Sequence, residues 1–183
     1  TGSKDPFALR RASLGALRLL VEKELDLDLS DLLLLAAQGH GENIAAADQA
    51  ASESLAYMLE RFRSWYLDEN IAAEVYQAVS AKQLTTPLDI NKRVQAVNAF
   101  TQLPEAQALA AANKRVSNIL SKLDGEVPSA LDSSLLREDA EIALAEQVAA
   151  KSLAVAPLFA EHRYADALAA LASLQITVDT FFD

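Results

Sequence analysis

A short run near the middle of the chain combines basic and amide side chains, the types that contact nucleic acids. The run comprises Lys114, Arg115, Asn118 and Lys122. Steps of three and four place the last three on one face of a helix. Basic side chains neutralise phosphates, and an asparagine amide can both donate to and accept from a base edge. The run therefore predicts an RNA-binding face, although a solubilising surface fits the same residues equally well.

A second candidate site lies earlier, where aromatic and basic residues alternate. Tyr57, Arg61 and Trp65 are spaced four apart and share one side of a predicted helix. A guanidinium can stack on an aromatic ring, and an exposed ring can stack on an unpaired base. Arg63 projects from the other flank and completes this second predicted RNA-binding set. In the alternative interpretation, Trp65 covers the core and Arg61 pairs with Asp68.

Two further arginines, Arg10 and Arg11, follow a predicted helix start. Asp5 is suited to the N-cap and Pro6 to the first helical position. Cations are mildly disfavoured at this end of a helix, so an acidic group, either a carboxylate or a phosphate, would explain the pair. We expect Arg10 and Arg11 to contact RNA, to contact a neighbouring domain, or to form a surface ion pair.

The residues that catalysis needs do not cluster in the sequence. His40 and His162 are the two histidines and lie far apart, each without a spaced partner. Asp26, Asp28 and Asp31 are typical of a capping run, because they lack the glycine and the distal glutamate of a calcium loop. The chain has no cysteine, which excludes thiolate metal sites and thiol nucleophiles. We therefore expect neither a catalytic centre nor a metal site within these residues.

The composition indicates helices. The chain of 183 residues is 51% hydrophobic but only 6% aromatic, and alanine and leucine dominate. The longest apolar run, over residues 32–37, is far shorter than a membrane span. The formal net charge is −10, yet residues 82–122 carry six basic and two acidic residues. This local reversal of charge would suit a polyanionic partner, although a well-solvated pair of helices explains it too.

Apolar residues recur at helical spacing along most of the chain, and we predict an all-α bundle of seven to nine helices. Ser30 or Asp31 is expected to cap the second helix, and Pro157 to interrupt a later one. A glycine-rich joint suggests a domain boundary between residues 41 and 42. The predicted helices cover residues 6–24, 30–39, 45–69, 71–82, 88–103, 104–123, 135–153, 164–174 and 176–183.

Several sequence blocks, in register from one end of the chain to the other, resemble one protein family. The blocks are residues 4–11 (KDPFALRR), 110–120 (AAANKRVSNIL), 164–168 (YADAL) and 178–183 (VDTFFD). Together they resemble the β subunit of the bacterial glycyl-tRNA synthetase, the type built from separate α and β chains. The resemblance covers the C-terminal portion of that subunit, so we expect the chain to be a fragment of a longer protein.

The resemblance implies a helical anticodon-binding domain like that of arginyl-tRNA synthetases. Residues 42–183 would form this domain, truncated at its C-terminus, and residues 1–41 would be the tail of a preceding domain. The fragment would then bind the anticodon stem-loop of tRNA(Gly) in support of glycyl-tRNA aminoacylation. The family pattern supports an RNA role for Lys114, Arg115 and Asn118 in particular.

The same resemblance implies the partners of the whole enzyme. These are tRNA(Gly) and the α subunit, in a heterotetramer of two α and two β chains, with catalysis mainly on the α subunit. ATP with magnesium is implied for the whole ATP-dependent ligase, and no cofactor is expected in this fragment. The expected location is the cytoplasm, with neither a membrane nor DNA as a partner.

A different class of function remains open, namely a helical scaffold that mediates subunit assembly without touching RNA. Residues 123–183 carry eleven acidic and three basic residues, which suits a protein contact better than an RNA contact.

Overall fold

The computed structural model describes residues 5, 7–41, 46–122, 125 and 130–182, and these residues are helical without a β-strand. This confirms the predicted all-α class. The chain splits into two compact units, Thr1–Asn98 and Ala99–Asp183, here called unit 1 and unit 2. The described helices are α1 Leu9–Glu22, α2 Leu29–Gly39, α3 Ala47–Asp68, α4 Ala73–Ser80, α5 Pro87–Thr101, α6 Pro104–Leu120, α7 Asp139–Ala160, α8 Tyr164–Ala172 and α9 Gln175–Phe182, with a 3-10 turn at Ser133–Leu135.

Unit 1 is built around α3, which packs against α1, α2 and α4. The predicted apolar stripe of α3 faces this core, with Phe62 and Tyr66 almost fully buried. Their rings lie 4.8 Å apart, and Tyr76 of α4 extends the aromatic cluster. Helices α1 and α5 contribute Leu17 and Val94, both fully buried. Burial of these large side chains supplies the main favourable free energy of this unit.

The first helix begins later than predicted. Its N-cap is Ala8 and not Asp5, and Ala8 adopts a left-handed backbone with φ of 56°. The backbone N–H of Ala8 donates to the carbonyl of Asp5 at 3.1 Å. Pro6, the predicted first helical residue, lies outside the described residues.

The second helix is capped by Asp28 and not by Ser30 or Asp31. Its Oδ1 accepts hydrogen bonds from the backbone N–H of Ser30 at 2.8 Å and of Asp31 at 3.2 Å. Asp28 has the extended backbone that an N-cap requires. Its other oxygen accepts a hydrogen bond from the hydroxyl of Thr85, which ties α2 to the segment before α5. The predicted capping role of the acidic run is therefore confirmed, but at a different residue.

Pro157 does not interrupt α7, which continues to Ala160. The prediction was wrong: the proline removes the hydrogen bond to the carbonyl four residues earlier and its ring crowds that carbonyl, but the helix continues past it. That carbonyl belongs to Leu153, which is highly exposed, so water can solvate it. At its other end α7 begins at Asp139, where Glu138 and Glu141 form a reciprocal capping box.

The two units divide between Asn98 and Ala99, within α5, whereas the predicted domain boundary lies between residues 41 and 42. Helices α1 and α2 pack against α3, on the other side of that predicted boundary. Residues 42–45 lie outside the described part of the chain. A boundary there, as one between domains of a longer subunit, stays a prediction.

Two helical segments among the described residues are long and apolar enough to cross a membrane, by length and composition alone. They are Asp139–Ala160 and Tyr164–Phe182. A search for an uninterrupted apolar run misses the first of them, because Glu146 and Lys151 interrupt α7. Helices of soluble protein cores meet the same criterion, so this finding does not by itself establish a membrane partner.

Candidate nucleic-acid interface

The basic run identified from the sequence lies at the C-terminal end of α6. Lys114, Arg115 and Asn118 occupy its last two turns, and all three are exposed. Lys122 is exposed as well, but it follows the C-cap residue Ser121 and is not helical. The helix thus ends before the predicted residue 123, and the run forms an exposed end rather than a stripe along the full helix.

The apolar face predicted opposite this run is less buried than expected. Leu109 and Ala112 are half-buried, whereas Val116 and Ile119 are 37% and 48% exposed. Leu123, the last predicted member, lies outside the described residues. The apolar side chains at the end of α6 therefore remain accessible beside the basic ones.

Arg115 has specific partners on α9. Its Cζ lies 4.1 Å from the centroid of the Phe182 ring, a cation–π distance. Its Nη2 donates to the backbone carbonyl of Phe182 at 3.3 Å. Within the described residues, the partners of Arg115 are an aromatic ring and a backbone carbonyl, and neither carries a negative charge.

Lys114 and Lys122 differ from Arg93 in how they are paired. Arg93 donates from Nε to Asp89 at 2.9 Å, and both side chains are largely buried. Among the described residues, no comparable ion pair holds Lys114 or Lys122. Exposed and uncompensated ammonium groups are the kind that attract phosphates from solution.

The second candidate, on α3, is partly built as predicted. The Cζ of Arg61 lies 5.2 Å from the ring centroid of Tyr57, which is the predicted stacking. The alternative pairing of Arg61 with Asp68 is absent from the ion pairs of the described residues. The Nε of Arg61 is buried and has no hydrogen-bond partner among the described residues.

Trp65 belongs to the core of unit 1. It is only 8% exposed, and its ring stacks on Tyr66 with the two planes 4° apart. Its Nε1 donates to the carboxylate of Glu69, and Arg18 covers the ring at 5.5 Å. In this conformation Trp65 does not offer the exposed face that base stacking requires. Its position follows the alternative interpretation, whereas the Arg61–Asp68 pair of that interpretation is not among the ion pairs of the described residues. The role of Arg18 was missed because nothing in the sequence links it to Trp65.

Arg63 lines a small groove of about 300 Å³ between α3 and α4. Its Nη1 lies 3.7 Å from the carboxylate of Glu60, and Gln77 adds an amide to the same groove. Tyr76 closes one side and donates its hydroxyl to the carbonyl of Leu59 at 2.9 Å. Burial raises the pKa of Tyr76 to about 12, so its hydroxyl stays a neutral donor at physiological pH.

The arginines near the N-terminus are exposed side chains of α1. Arg11 makes a surface ion pair, with its Nε 4.0 Å from Asp5, as one of the predicted alternatives has it. A pair at this distance and exposure contributes little to stability. The geometry is therefore compatible with release of Arg11 to another acidic partner.

The histidines and carboxylates remain dispersed in the structure. Within the described ranges, no group of three or more histidine, aspartate or glutamate residues could hold a metal ion. His162 lies after α7 with φ of 57°, and its Nδ1 is 3.0 Å from the hydroxyl of Tyr164. The residues described therefore offer no fit for magnesium, and no chemical step is assigned to them.

Comparison with known proteins extends the sequence resemblance. A family model described as "Glycyl-tRNA synthetase beta subunit" matches residues 1–81. The glycine–tRNA ligase beta subunits of Shewanella pealeana and Pasteurella multocida are each 52% identical to the chain over 182 residues. That of Pseudomonas aeruginosa is 54% identical over 182 residues. In each case the whole of this chain is covered, which confirms the predicted resemblance to this family from one end of the chain to the other.

The chain spans about a quarter of the length of these relatives, 26% in each case. Its position within the longer subunit stays a prediction.

Proposed function

We propose that this chain is an RNA-binding region of a glycine–tRNA ligase β subunit. It would bind the anticodon stem-loop of tRNA(Gly) and so support the aminoacylation of that tRNA during translation. Two findings support the proposal: the similarity over the whole chain, and the exposed basic run at the end of α6.

The observation that carries the RNA contact is the clustering of Lys114 and Lys122 with Arg115 at the end of α6. Both lysines are exposed, and no ion pair holds either within the described part of the chain. A phosphate contact with an ammonium group that has no ion-pair partner contributes favourable binding free energy, because counterions are released from the RNA. Lys114 and Lys122 would supply phosphate contacts, and Asn118 between them would contact a base edge of the loop.

Arg115 would act beside these residues with an orientation fixed by Phe182. Its contacts with that residue use one ring face and one N–H, and a guanidinium has five N–H donors in a planar fork. The remaining N–H groups can donate to a phosphate without breaking the contact with α9. On unit 1, Arg61 and Arg63 stay in the proposal as a separate cationic contact, while Trp65 lies in the core.

The proposal is tested by anisotropy titration of a labelled anticodon stem-loop of tRNA(Gly), at several salt concentrations. Replacing Lys114 and Lys122 together by alanine should lower the magnitude of the salt slope by about 0.7–0.9 for each lost phosphate contact. Lys23→Ala is the matched control, because Lys23 is an exposed lysine at the end of α1. It should leave the slope unchanged.

A salt slope that is equal in the double variant and in the unaltered chain would count against RNA binding by α6. Equally tight binding of an unrelated stem-loop at physiological salt would count against recognition of the tRNA(Gly) loop, since phosphate contacts alone carry no sequence information.

A scaffold for subunit assembly is the second candidate, and the accessible apolar residues at the end of α6 favour it. Val116 and Ile119 would lie against another protein surface more readily than against RNA. Size measurement with and without the α subunit separates the two functions. A complex that forms without RNA and is lost on Ile119→Lys would favour the scaffold.

The whole enzyme is part of the same proposal. It comprises the α subunit in a heterotetramer of two α and two β chains, ATP with magnesium for the ligase reaction, catalysis mainly on the α subunit, and a cytoplasmic location. This region would contribute recognition and no bond-making.

A further inference from the structure

The small groove between α3 and α4, here called the Arg63 groove, brings hydrogen-bond donors and acceptors together in one concave surface. Helix α3 contributes Glu60 and Arg63, and α4 contributes Tyr76, Gln77 and Ser80. The remaining wall is apolar and consists of Ala56 and Leu59. All of these residues belong to unit 1 and lie within the continuously described stretch 46–122.

Arg63 carries more donors than its neighbours use. Its Nε is buried and has no hydrogen-bond partner among the described residues. Its Nη1 lies 3.7 Å from the carboxylate of Glu60, which is longer than a hydrogen bond. The side chains of Arg63 and Glu60 are 38% and 54% exposed, so the pair remains open to solvent. Since a guanidinium has five N–H donors, Arg63 can bind a ligand that supplies acceptor atoms.

Acceptor groups lie beside this guanidinium. Glu60 raises and Arg63 lowers the pKa of Tyr76, so both charges act on the hydroxyl of that ring. The hydroxyl donates to the carbonyl of Leu59 and retains its oxygen lone pairs as acceptors. The exposed amide of Gln77 can both donate and accept. A ligand that matches the groove must therefore accept hydrogen bonds at one point of its edge and donate them at a neighbouring point.

We propose that the Arg63 groove binds one unpaired nucleobase of tRNA(Gly). Arg63 donates to acceptor atoms on the edge of the base, and Glu60 accepts from its adjacent N–H groups. The groove volume of about 300 Å³ lies at the lower end for ligand pockets, which suits a single heteroaromatic ring. This inference rests on the proposed function and adds to it a contact that recognises a base, since phosphate contacts carry no sequence information.

Other ligands match the groove less well. A phosphate would be repelled by the carboxylate of Glu60, which lies 3.7 Å from the guanidinium. An apolar side chain would cover Arg63 and Glu60 without offering either a hydrogen bond. The amide of an asparagine or glutamine side chain has the right donor and acceptor, but it is smaller than a nucleobase and would fill less of the groove.

A double-mutant cycle tests the inference, with the 183-residue chain and tRNA(Gly) transcripts that each lack the base of one unpaired nucleotide. For the unaltered chain, loss of the base that occupies the groove should weaken binding about tenfold. For Arg63→Ala, the same transcript should bind as tightly as the complete one, because the contact is already absent. Arg63→Lys guards against a folding defect: it keeps the charge but lacks the planar fork, so it too should lose the tenfold effect.

Lys92→Ala is the matched control, because Lys92 is an exposed cation of unit 1 that lies outside the groove. It should retain the tenfold effect of the missing base. If no transcript showed coupling to Arg63, the groove would not be a base site, although the salt slope of the Lys114 and Lys122 variant could still support RNA binding by α6. If Arg63→Ala weakened all transcripts alike, as Lys92→Ala would, Arg63 would be a phosphate contact instead. A chain that bound no transcript at all would overturn both the proposed function and this inference.

Discussion

Replacing Asp28 by alanine should destabilise unit 1 by about 2 kcal/mol. The carboxylate makes two capping hydrogen bonds, to the backbone N–H groups of Ser30 and Asp31, and a third to the hydroxyl of Thr85. Loss of an N-cap costs about 1 kcal/mol. The third hydrogen bond contributes about 1 kcal/mol, the typical net value, which is appropriate because Asp28 is only partly buried.

The effect is measurable by thermal unfolding followed by circular dichroism at neutral pH. For a unit of this size, 2 kcal/mol corresponds to a fall of about 10 °C in Tm. Asp26→Ala is the matched control, because Asp26 precedes the same helix but is exposed. It should shift Tm by less than about 2 °C, in line with surface substitutions.

The pH dependence of the Asp28 effect has a definite sign. The hydroxyl of Thr85, together with the two backbone N–H groups, holds the pKa of Asp28 below its usual value. A carboxyl group with a lowered pKa stabilises the fold above the unfolded-state pKa of about 3.9, and this contribution is lost as pH falls through the folded-state value. The gap in stability between the unaltered chain and Asp28→Ala should therefore narrow below about pH 4.

A loss of less than about 0.5 kcal/mol at pH 7, equal to that of Asp26→Ala, would refute the reasoning. A gap that widened on acidification would contradict the assigned direction of the pKa.

Three further outcomes follow from the packing. Phe62→Ala should cost about 3–5 kcal/mol in urea unfolding, because the ring is fully buried, whereas exposed Leu67→Ala should cost less than about 1. Arg115→Ala should speed the hydrogen exchange of α9 severalfold, because the contacts with Phe182 are lost, whereas Lys114→Ala should leave that exchange unchanged. Equal exchange rates of α9 in the two variants would show that the Arg115–Phe182 contact does not stabilise α9. Trp65→Phe should leave stem-loop affinity within about twofold of the unaltered chain while lowering Tm, because Trp65 is buried in the core. A tenfold loss of affinity without a change in Tm would instead indicate that Trp65 contacts RNA directly.

The helical class and most helices could be predicted because alanine- and leucine-rich segments with apolar periodicity have few alternatives to amphipathic helices. The ends were harder, since they depend on backbone geometry and on distant partners. Asp28 was not recognised as the cap because its third hydrogen bond comes from Thr85, 57 residues away. Pro157 was read as an interruption because the exposure of Leu153, which decides its cost, is a tertiary property.

The candidate site was predictable in its charge but not in its contacts. The basic excess of residues 82–122 follows from counting, and the exposure of Lys114 and Lys122 agrees with it. The position of Trp65 was ambiguous from the sequence. On the helix it lies beside the apolar residues that face the core and also one turn after Arg61. The contact of Arg115 with Phe182 joins residues 67 apart, which no local spacing indicates.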